Sequence, residues 1–158
     1  MIRALVLSSM LLACAAVRPA ATPPAAFATA DREAITAVLE AQREAWNRGD
    51  IEGFMVGYVP TDELVFTSGA AVRRGFAATR TRYRDRYVDA AAMGRLRFSE
   101  LEITGLGADA AWVLGRWELT GTPEAGSGVF TLVFVRRAGR WLITHDHTSA
   151  SAPPDAKD

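Results

Sequence analysis

Four long β-rich runs follow one another through the second half of this 158-residue sequence, at residues 96–104, 110–120, 128–137 and 140–149. The connections between them are short and most contain glycine, which is typical of consecutive antiparallel strands. Apolar side chains occupy both sets of alternating positions: in the last run Trp141 and Ile143 point one way and Leu142 points the other. Both faces of the predicted sheet are therefore apolar, and any fold of this chain must cover both of them.

Helical patterns dominate the first half of the sequence. The first predicted helix begins at Asp31, which can cap it, and carries a stripe of side chains at helical spacing: Ile35, Val38, Leu39, Gln42 and Trp46. A second, shorter helix follows Asp50 and ends before Pro60. A short strand at 64–67 precedes the third helix, whose stripe consists of Phe76, Arg80, Tyr83 and Tyr87. Helices first and strands afterwards indicate an α+β fold, with three N-terminal helices on a curved antiparallel sheet.

The two apolar faces of the predicted sheet are expected to be covered by different elements. Helices can cover only one face in a domain of this size. A second copy of the chain is the simplest cover for the other face, so we expect a homodimer formed through the sheet. A twisted sheet that curls over helices also leaves a hollow at its wide end, where a small-molecule ligand would bind.

The N-terminus has the pattern of an export signal. Arg3 precedes an apolar run that is shorter than the ~20 residues of a membrane-spanning helix. The run ends in Leu-Leu-Ala-Cys at residues 11–14, which resembles a bacterial lipobox. This resemblance implies cleavage before Cys14 and a diacylglycerol on its thiol. The alternative is an ordinary secretory signal cut nearby, which would leave a soluble periplasmic or secreted protein.

These patterns divide the chain into a signal peptide at residues 1–13, an Ala/Pro-rich tether at 14–30, a folded domain at 31–149 and a flexible tail at 150–158. The lipobox resemblance, with Ala15 after the cysteine, implies a periplasm-facing lipoprotein of the outer membrane. Lys and Arg total 18, and so do Asp and Glu, so no net charge recruits nucleic acid or an anionic membrane. We therefore expect no nucleic-acid partner, and membrane contact only through the lipid on Cys14.

Two segments carry a resemblance to a known family. Trp-Asn-Arg-Gly-Asp at 46–50 closes the first helix, and Gly-Arg-Trp-Leu-Ile-Thr-His-Asp-His-Thr-Ser at 139–149 closes the domain. Together with the order of elements over residues 31–149, they look like the SnoaL-like branch of the nuclear transport factor 2-like superfamily. The resemblance implies a cone-shaped roll, a scaffold that hosts isomerases, cyclases and dehydratases as well as domains without catalysis.

The end of the last strand has a second resemblance. His145-x-His147-x-Ser149 is similar to the end of the association domain of calcium/calmodulin-dependent kinase II. In that domain an arginine just before the final serine helps to bind a small carboxylate. This sequence has Thr148 in that place.

Candidate acid–base residues also lie on this strand. His145 and His147 project from one face and Asp146 from the other, so the aspartate between them cannot form a dyad with either. His147 and Asp146 are the candidate catalytic residues, and a carboxylate that orients a histidine would come from Glu118, Glu100 or Asp62. Hydrogen bonding of these side chains to their neighbours, without catalysis, is the alternative. No metal site is expected, since no further histidine and no cysteine in the domain supplies a third ligand.

Candidate ligand-binding residues come from the helices and one central strand. Arg80 and Arg116 would anchor a carboxylate or enolate in an apolar cavity, unless they form internal ion pairs with Asp85 or Glu118. The other candidates for ligand contact are Gln42, Trp46, Tyr58, Tyr83 and His145. The remaining arginines of this region are predicted to form a solvated helix face: Arg73, Arg74, Arg82, Arg84 and Arg86.

Two classes of function agree with these features. The first is a dimeric envelope domain that binds a small, partly apolar molecule, which can carry a negative charge. The alternative is a cofactor-free isomerase, cyclase or dehydratase-type enzyme, in which Asp146 or His147 moves a proton on a ligand held by Arg116. No cofactor is expected in either case.

Overall fold

The computed structural model of the protein describes residues 26–151. The predicted signal peptide, Cys14, most of the predicted tether and the tail from residue 152 lie outside the described residues. No helix within residues 26–151 is long and apolar enough to span a membrane.

Helices and strands occur in the predicted order. The helices are α1 (Thr29–Asn47), α2 (Ile51–Met55), α3 (Phe76–Arg86) and α4 (Ala90–Met93). The strands are β1 (Val65–Ser68), β2 (Ala71–Arg74), β3 (Arg95–Gly105), β4 (Ala110–Thr120), β5 (Gly126–Arg137) and β6 (Arg140–Ala150). The fourth helix was not expected: Asp89 caps this single turn by accepting a hydrogen bond from the backbone N–H of Ala92.

All six strands form one sheet in the order β2-β1-β6-β5-β4-β3. The last four strands form the predicted antiparallel meander, and β1 and β2 form a hairpin. One pairing differs from the expectation, because β1 lies parallel to β6. The hairpin therefore extends the meander at β6. The predicted α+β fold, with helices on a curved sheet, is confirmed. The sheet is mostly antiparallel, and the pairing of β1 with β6 is its one parallel pairing among the described strands.

The first helix lies across the inner face of the sheet, defined as the face that carries Val113, Phe134 and Ile143. These three side chains are fully buried, as are Ile35 and Leu39 of α1. The helix contacts both β3 and β6, so one element closes over strands from opposite sides of the meander. The hydrophobic core lies between them.

Asp31 is not the N-terminal cap residue of α1 that the sequence predicted, but lies within the first turn of this helix. The helix begins two residues earlier, and the Asp31 carboxylate accepts a hydrogen bond from the backbone N–H of Ala28 at 2.9 Å. It also accepts from Trp141 Nε1 at 3.3 Å and from the guanidinium of Arg136. Asp31 therefore ties the start of α1 to β5 and β6 as well as satisfying a free backbone donor.

No element of the described residues covers the outer face of the sheet, which is opposite to the helices. Leu114 and Val129 project from this face and are 36% and 40% exposed. The sequence predicted that both faces would need a cover, and residues 26–151 supply a cover for only one of them.

Gly115, at the middle of β4, allows the core to close. A Cβ built there would lie 2.4 Å from Cζ of Phe130 and 2.8 Å from Cδ2 of Leu101. Both distances are well inside van der Waals contact, so the ring of Phe130 fills the space that a side chain would need. Gly126 on β5 differs, since its nearest neighbour would be Trp117 at an ordinary 3.7 Å.

We predict that Gly115→Ala lowers the free energy of unfolding by about 1–3 kcal/mol, because the added methyl group must displace the ring of Phe130 and the end of the Leu101 side chain. Urea unfolding followed by tryptophan fluorescence measures the change. Gly126→Ala is the matched control and should stay within about 0.5 kcal/mol of the wild type. Equal effects of the two substitutions would contradict the packing argument.

Candidate functional site

A cavity of about 430 Å³ lies between the inner face of the sheet and helices α1, α2 and α3. This volume is in the range of pockets that enclose small molecules. Nine of the side chains that line it are aromatic: Trp46, Phe54, Tyr58, Phe66, Tyr83, Tyr87, Phe98, Trp117 and Phe130. Many of these rings meet edge to face, for example Phe98 with Phe130 and Trp46 with Tyr87.

A β-bulge in β6 turns Asp146 into this cavity. Val133 pairs with His145 and Phe134 pairs with Ile143, so Thr144 is an extra residue in β6. The extra residue reverses the alternation of side chains. Asp146 therefore lies on the inner face together with Trp141 and Ile143, and His145 and His147 lie on the outer face.

The carboxyl group of Asp146 is buried, with 6% of the residue exposed. Tyr58 Oη donates a hydrogen bond to Asp146 Oδ2 at 2.8 Å. Burial raises the pKa of Asp146 to about 7, and the hydrogen bond from Tyr58 lowers it by a smaller amount. This carboxyl group can therefore both accept and release a proton near neutral pH.

Backbone hydrogen bonds to β6 fix the position of Tyr58. The N–H of Val59 donates to the carbonyl of Ile143 at 2.9 Å, and the N–H of Ile143 donates to the carbonyl of Gly57 at 2.8 Å. Tyr58 lies between these two bonds and is paired with Ile143 as an isolated bridge. Burial, followed by the charge of Asp146, raises the pKa of the Tyr58 hydroxyl well above its usual range. Tyr58 therefore stays protonated and remains a donor to Asp146.

Three other predicted ligand-binding residues line the same cavity: Gln42, Trp46 and Tyr83. Gln42 Nε2 donates to the carbonyl of Phe54 at 3.0 Å, and Trp46 Nε1 donates to the carbonyl of Met93 at 2.8 Å. These bonds fix both side chains against neighbouring elements. Burial, followed by the charge of Asp146, raises the pKa of Tyr83 well above its usual range, so its hydroxyl stays protonated.

The structure places the four other predicted site residues away from the cavity. His147 is exposed on the outer face, and the half-buried His145 has a pKa lowered by burial and then by the charge of His147. Arg116 is also on the outer face, where its Nε donates to Glu100 at 2.7 Å. Arg80 lies 3.7 Å from Glu52 of α2. The expectation that Arg116 and Arg80 point into an apolar cavity is therefore wrong, because Arg116 faces outward and the half-buried Arg80 is directed toward Glu52 of α2.

Sequence reasoning missed three arginines that line the cavity: Arg73, Arg82 and Arg86. They were expected on a solvated helix face, but Arg73 lies on β2. Arg82 and Arg86 directly precede the inward-facing Tyr83 and Tyr87, so they flank the stripe of α3 that contacts the cavity. That adjacency was the signal in the sequence that could have found them.

Comparison with known proteins identifies similar sequences and folds. A family model described as "SnoaL-like domain" matches residues 35–153. The chain is similar to an NTF-2 like protein of unknown function from Shewanella oneidensis MR-1, with 39% identity, a TM-score of 0.72, and coverage of 75% of this chain and 98% of that one. No curated protein matches the sequence.

Two further structures share the fold at lower identity. An NTF2-like protein of unknown function from Pseudomonas putida KT2440 is 21% identical, with a TM-score of 0.64 and coverage of 83% of this chain and 94% of that one. A protein of unknown function with a cystatin-like fold from Nostoc punctiforme PCC 73102 is 14% identical, with a TM-score of 0.67 and coverage of 83% and 97%.

We predict that the buried carboxyl group makes stability depend on pH. Asp146 has a pKa of about 7 in the folded protein against 3.8 ordinarily, so between these values only the folded state keeps the proton. The wild type should therefore lose up to about 4 kcal/mol of stability relative to Asp146→Asn as the pH rises from about 4 to 7. Urea unfolding of both proteins across this range measures the difference. A difference that is independent of pH would contradict the shifted pKa.

Proposed function

The chain belongs to the SnoaL-like domain family, and we propose that it binds a small, largely apolar molecule in its cavity and that Asp146 transfers a proton on that molecule. Membership in the family confirms the resemblance predicted from residues 46–50 and 139–149. The proposed activity is that of a cofactor-free isomerase, cyclase or dehydratase-type enzyme.

One observation carries this proposal: the only carboxyl group that lines the cavity within residues 26–151 is buried and has a pKa of about 7. A general acid–base residue is most effective when its pKa lies near the working pH. A buried carboxyl group with such a pKa in a ligand-sized cavity is a candidate functional group. A carboxyl group with only a structural role would more often be fully ionised and paired with a cation.

The wall of the cavity suits a proton transfer at carbon. Ionised Asp146 would remove a proton from a carbon next to a carbonyl group, so that the C–H bond breaks, an O–H bond forms on the carboxyl group and the electron pair moves to the carbonyl oxygen. Tyr58 would hold the carboxyl group in place through its 2.8 Å hydrogen bond. The protonated Tyr83 hydroxyl is suited to donate to the developing enolate oxygen. Return of the proton to another carbon would complete an isomerisation.

Binding without turnover is the second function that a specific observation favours. The aromatic wall alone would hold an apolar molecule, and Asp146 together with Tyr58 would then serve as a hydrogen-bonding pair for a polar group of that molecule. The two functions share the ligand site and differ in whether the proton of Asp146 exchanges with carbon.

The proposal also includes the export of the protein to the cell envelope and its assembly as a homodimer. The lipobox resemblance at residues 11–14 supports export and a lipid anchor on Cys14. The uncovered outer face of the sheet supports a homodimer, because Leu114 and Val129 are exposed there beside the half-buried Trp112 and Val133. A second copy placed on this face would remove these side chains from water.

We predict that the protein accelerates hydrogen–deuterium exchange at the carbon next to the carbonyl group of 2-tetralone, an apolar bicyclic ketone. Because Asp146 must be ionised to accept the proton, the rate should rise with pH through about 7 and then level off. The substitution Asp146→Asn should reduce the rate by about 100-fold or more. Proton NMR in deuterated buffer follows the exchange.

The control for this experiment is His147→Asn, which changes an exposed residue of the same strand and should leave the rate unchanged. A ketone that binds the wild type without faster exchange would identify a binding protein without turnover. Loss of exchange in His147→Asn but not in Asp146→Asn would reject Asp146 as the catalytic residue.

We predict that native mass spectrometry of protein extracted from the cell envelope shows a dimer whose subunits begin at Cys14 and carry a lipid. The substitution Cys14→Ala should remove the lipid mass and release the protein from the membrane fraction. Leu114→Lys, on the outer face, should convert the dimer to a monomer, because it places a charge in an apolar contact. A wild-type protein that is monomeric and begins after residue 14 would contradict both proposals.

A further inference from the structure

We propose that the ligand is an amphipathic anion, an apolar ring system that carries a carboxylate, and that three arginines at the edge of the cavity bind its charge. These residues, Arg73, Arg82 and Arg86, are called the arginine rim. The inference rests on the proposed function, since it concerns the same cavity and adds the chemical class of its ligand.

The arginine rim draws on two neighbouring elements, α3 and β2, which both border the cavity. Arg82 and Arg86 are one turn apart on α3 and therefore lie on the same flank of this helix. Arg73 belongs to β2, at the edge of the sheet. On β6 the side chains change from buried at Asp146 to half-buried at Thr148 and exposed at Ala150, so the cavity opens toward the end of this strand.

The charges of the cavity wall are unbalanced. Three guanidinium groups line it against one carboxyl group, and Asp146 is about half neutral near pH 7. Arg86 is paired with Glu124, but neither Arg73 nor Arg82 has a carboxylate partner within the part of the chain that the structure describes. Solvated arginines are common on protein surfaces. These two differ because they border a cavity walled by aromatic rings, where an anion would be partly removed from water.

The register of the sheet sets the distance between Arg73 and Asp146, and this distance determines how long a ligand must be to reach both residues. Arg73 pairs with Phe66 across β2 and β1, and Phe66 pairs with Asp146 across β1 and β6. The three residues therefore form one row on the inner face, with roughly 10 Å between the backbones of Arg73 and Asp146. One or two fused rings lying on Phe66 would span this row.

Charge also decides which end of the ligand enters first. A carboxylate placed beside Asp146 would be repelled by its ionised form and would lose its hydration among aromatic rings. A carboxylate at the arginine rim gains charge-assisted hydrogen bonds and leaves the apolar rings inside. The ring carbons, not the carboxylate, would therefore lie against Asp146.

The test compares two matched probes, 2-naphthoate and the neutral 2-naphthamide, by isothermal titration calorimetry of the purified protein at about pH 8, where Asp146 is mostly ionised. We expect 2-naphthoate to bind at least about tenfold more tightly than 2-naphthamide. The double substitution Arg73→Gln and Arg82→Gln should remove this advantage and leave the affinity for 2-naphthamide unchanged. Added NaCl should weaken only the binding of 2-naphthoate.

The control variant is Arg74→Gln, which changes an exposed arginine of the same strand that does not line the cavity. Unchanged binding of 2-naphthamide shows that each variant is folded. Equal affinities of the wild type for the two probes, or an equal loss of both in the double variant, would overturn the anion-binding rim and leave the apolar cavity site intact. Failure of both probes to bind the wild type would overturn the cavity site itself, and the rim with it.

Discussion

Incomplete cover of the inner face of the sheet is the constraint from which the rest of this structure follows. The first helix crosses the sheet over β3 and β6 and buries one part of the face through Ile35 and Leu39. The third helix lies over another part, where the ring of Tyr83 meets the ring of Phe66 edge to face. Aromatic side chains from both layers line what remains. The domain thus gains a ligand-sized cavity without a separate binding element.

Within this cavity the main electrostatic feature is one carboxyl group. An ionised Asp146 is costly where it lies, because burial removes its hydration and a single tyrosine hydrogen bond replaces only part of it. Such a cost is tolerated in folded proteins mainly where the group has a role beyond stability. The aromatic wall and the arginines at its edge supply the two environments, one apolar and one cationic, that would orient a ligand around this group.

The sequence allowed the element order, the meander and several inner residues to be predicted, because helical spacing and strand alternation report burial directly. Gln42, Trp46, Tyr58 and Tyr83 all lie on the wall of the cavity for this reason. The alternation of side chains along a strand failed to predict the direction of a side chain in two places. The strand β4 carries apolar side chains on both faces, so the sequence could not show that Arg116 faces outward. The extra residue Thr144 has no glycine or proline to mark it, yet it decides that Asp146 and not His147 reaches the cavity.

The position of β6 within the sheet has a consequence for how the molecule assembles. This strand is the last of the described strands to be made, but it lies between β1 and β5. The hairpin formed by β1 and β2 therefore cannot join the other strands until the C-terminal end of the domain has left the ribosome. Contacts between residues so far apart in the sequence form slowly. A domain with this topology stays open until β6 has been made, and the wall that holds Asp146 is among the last parts of this domain to close.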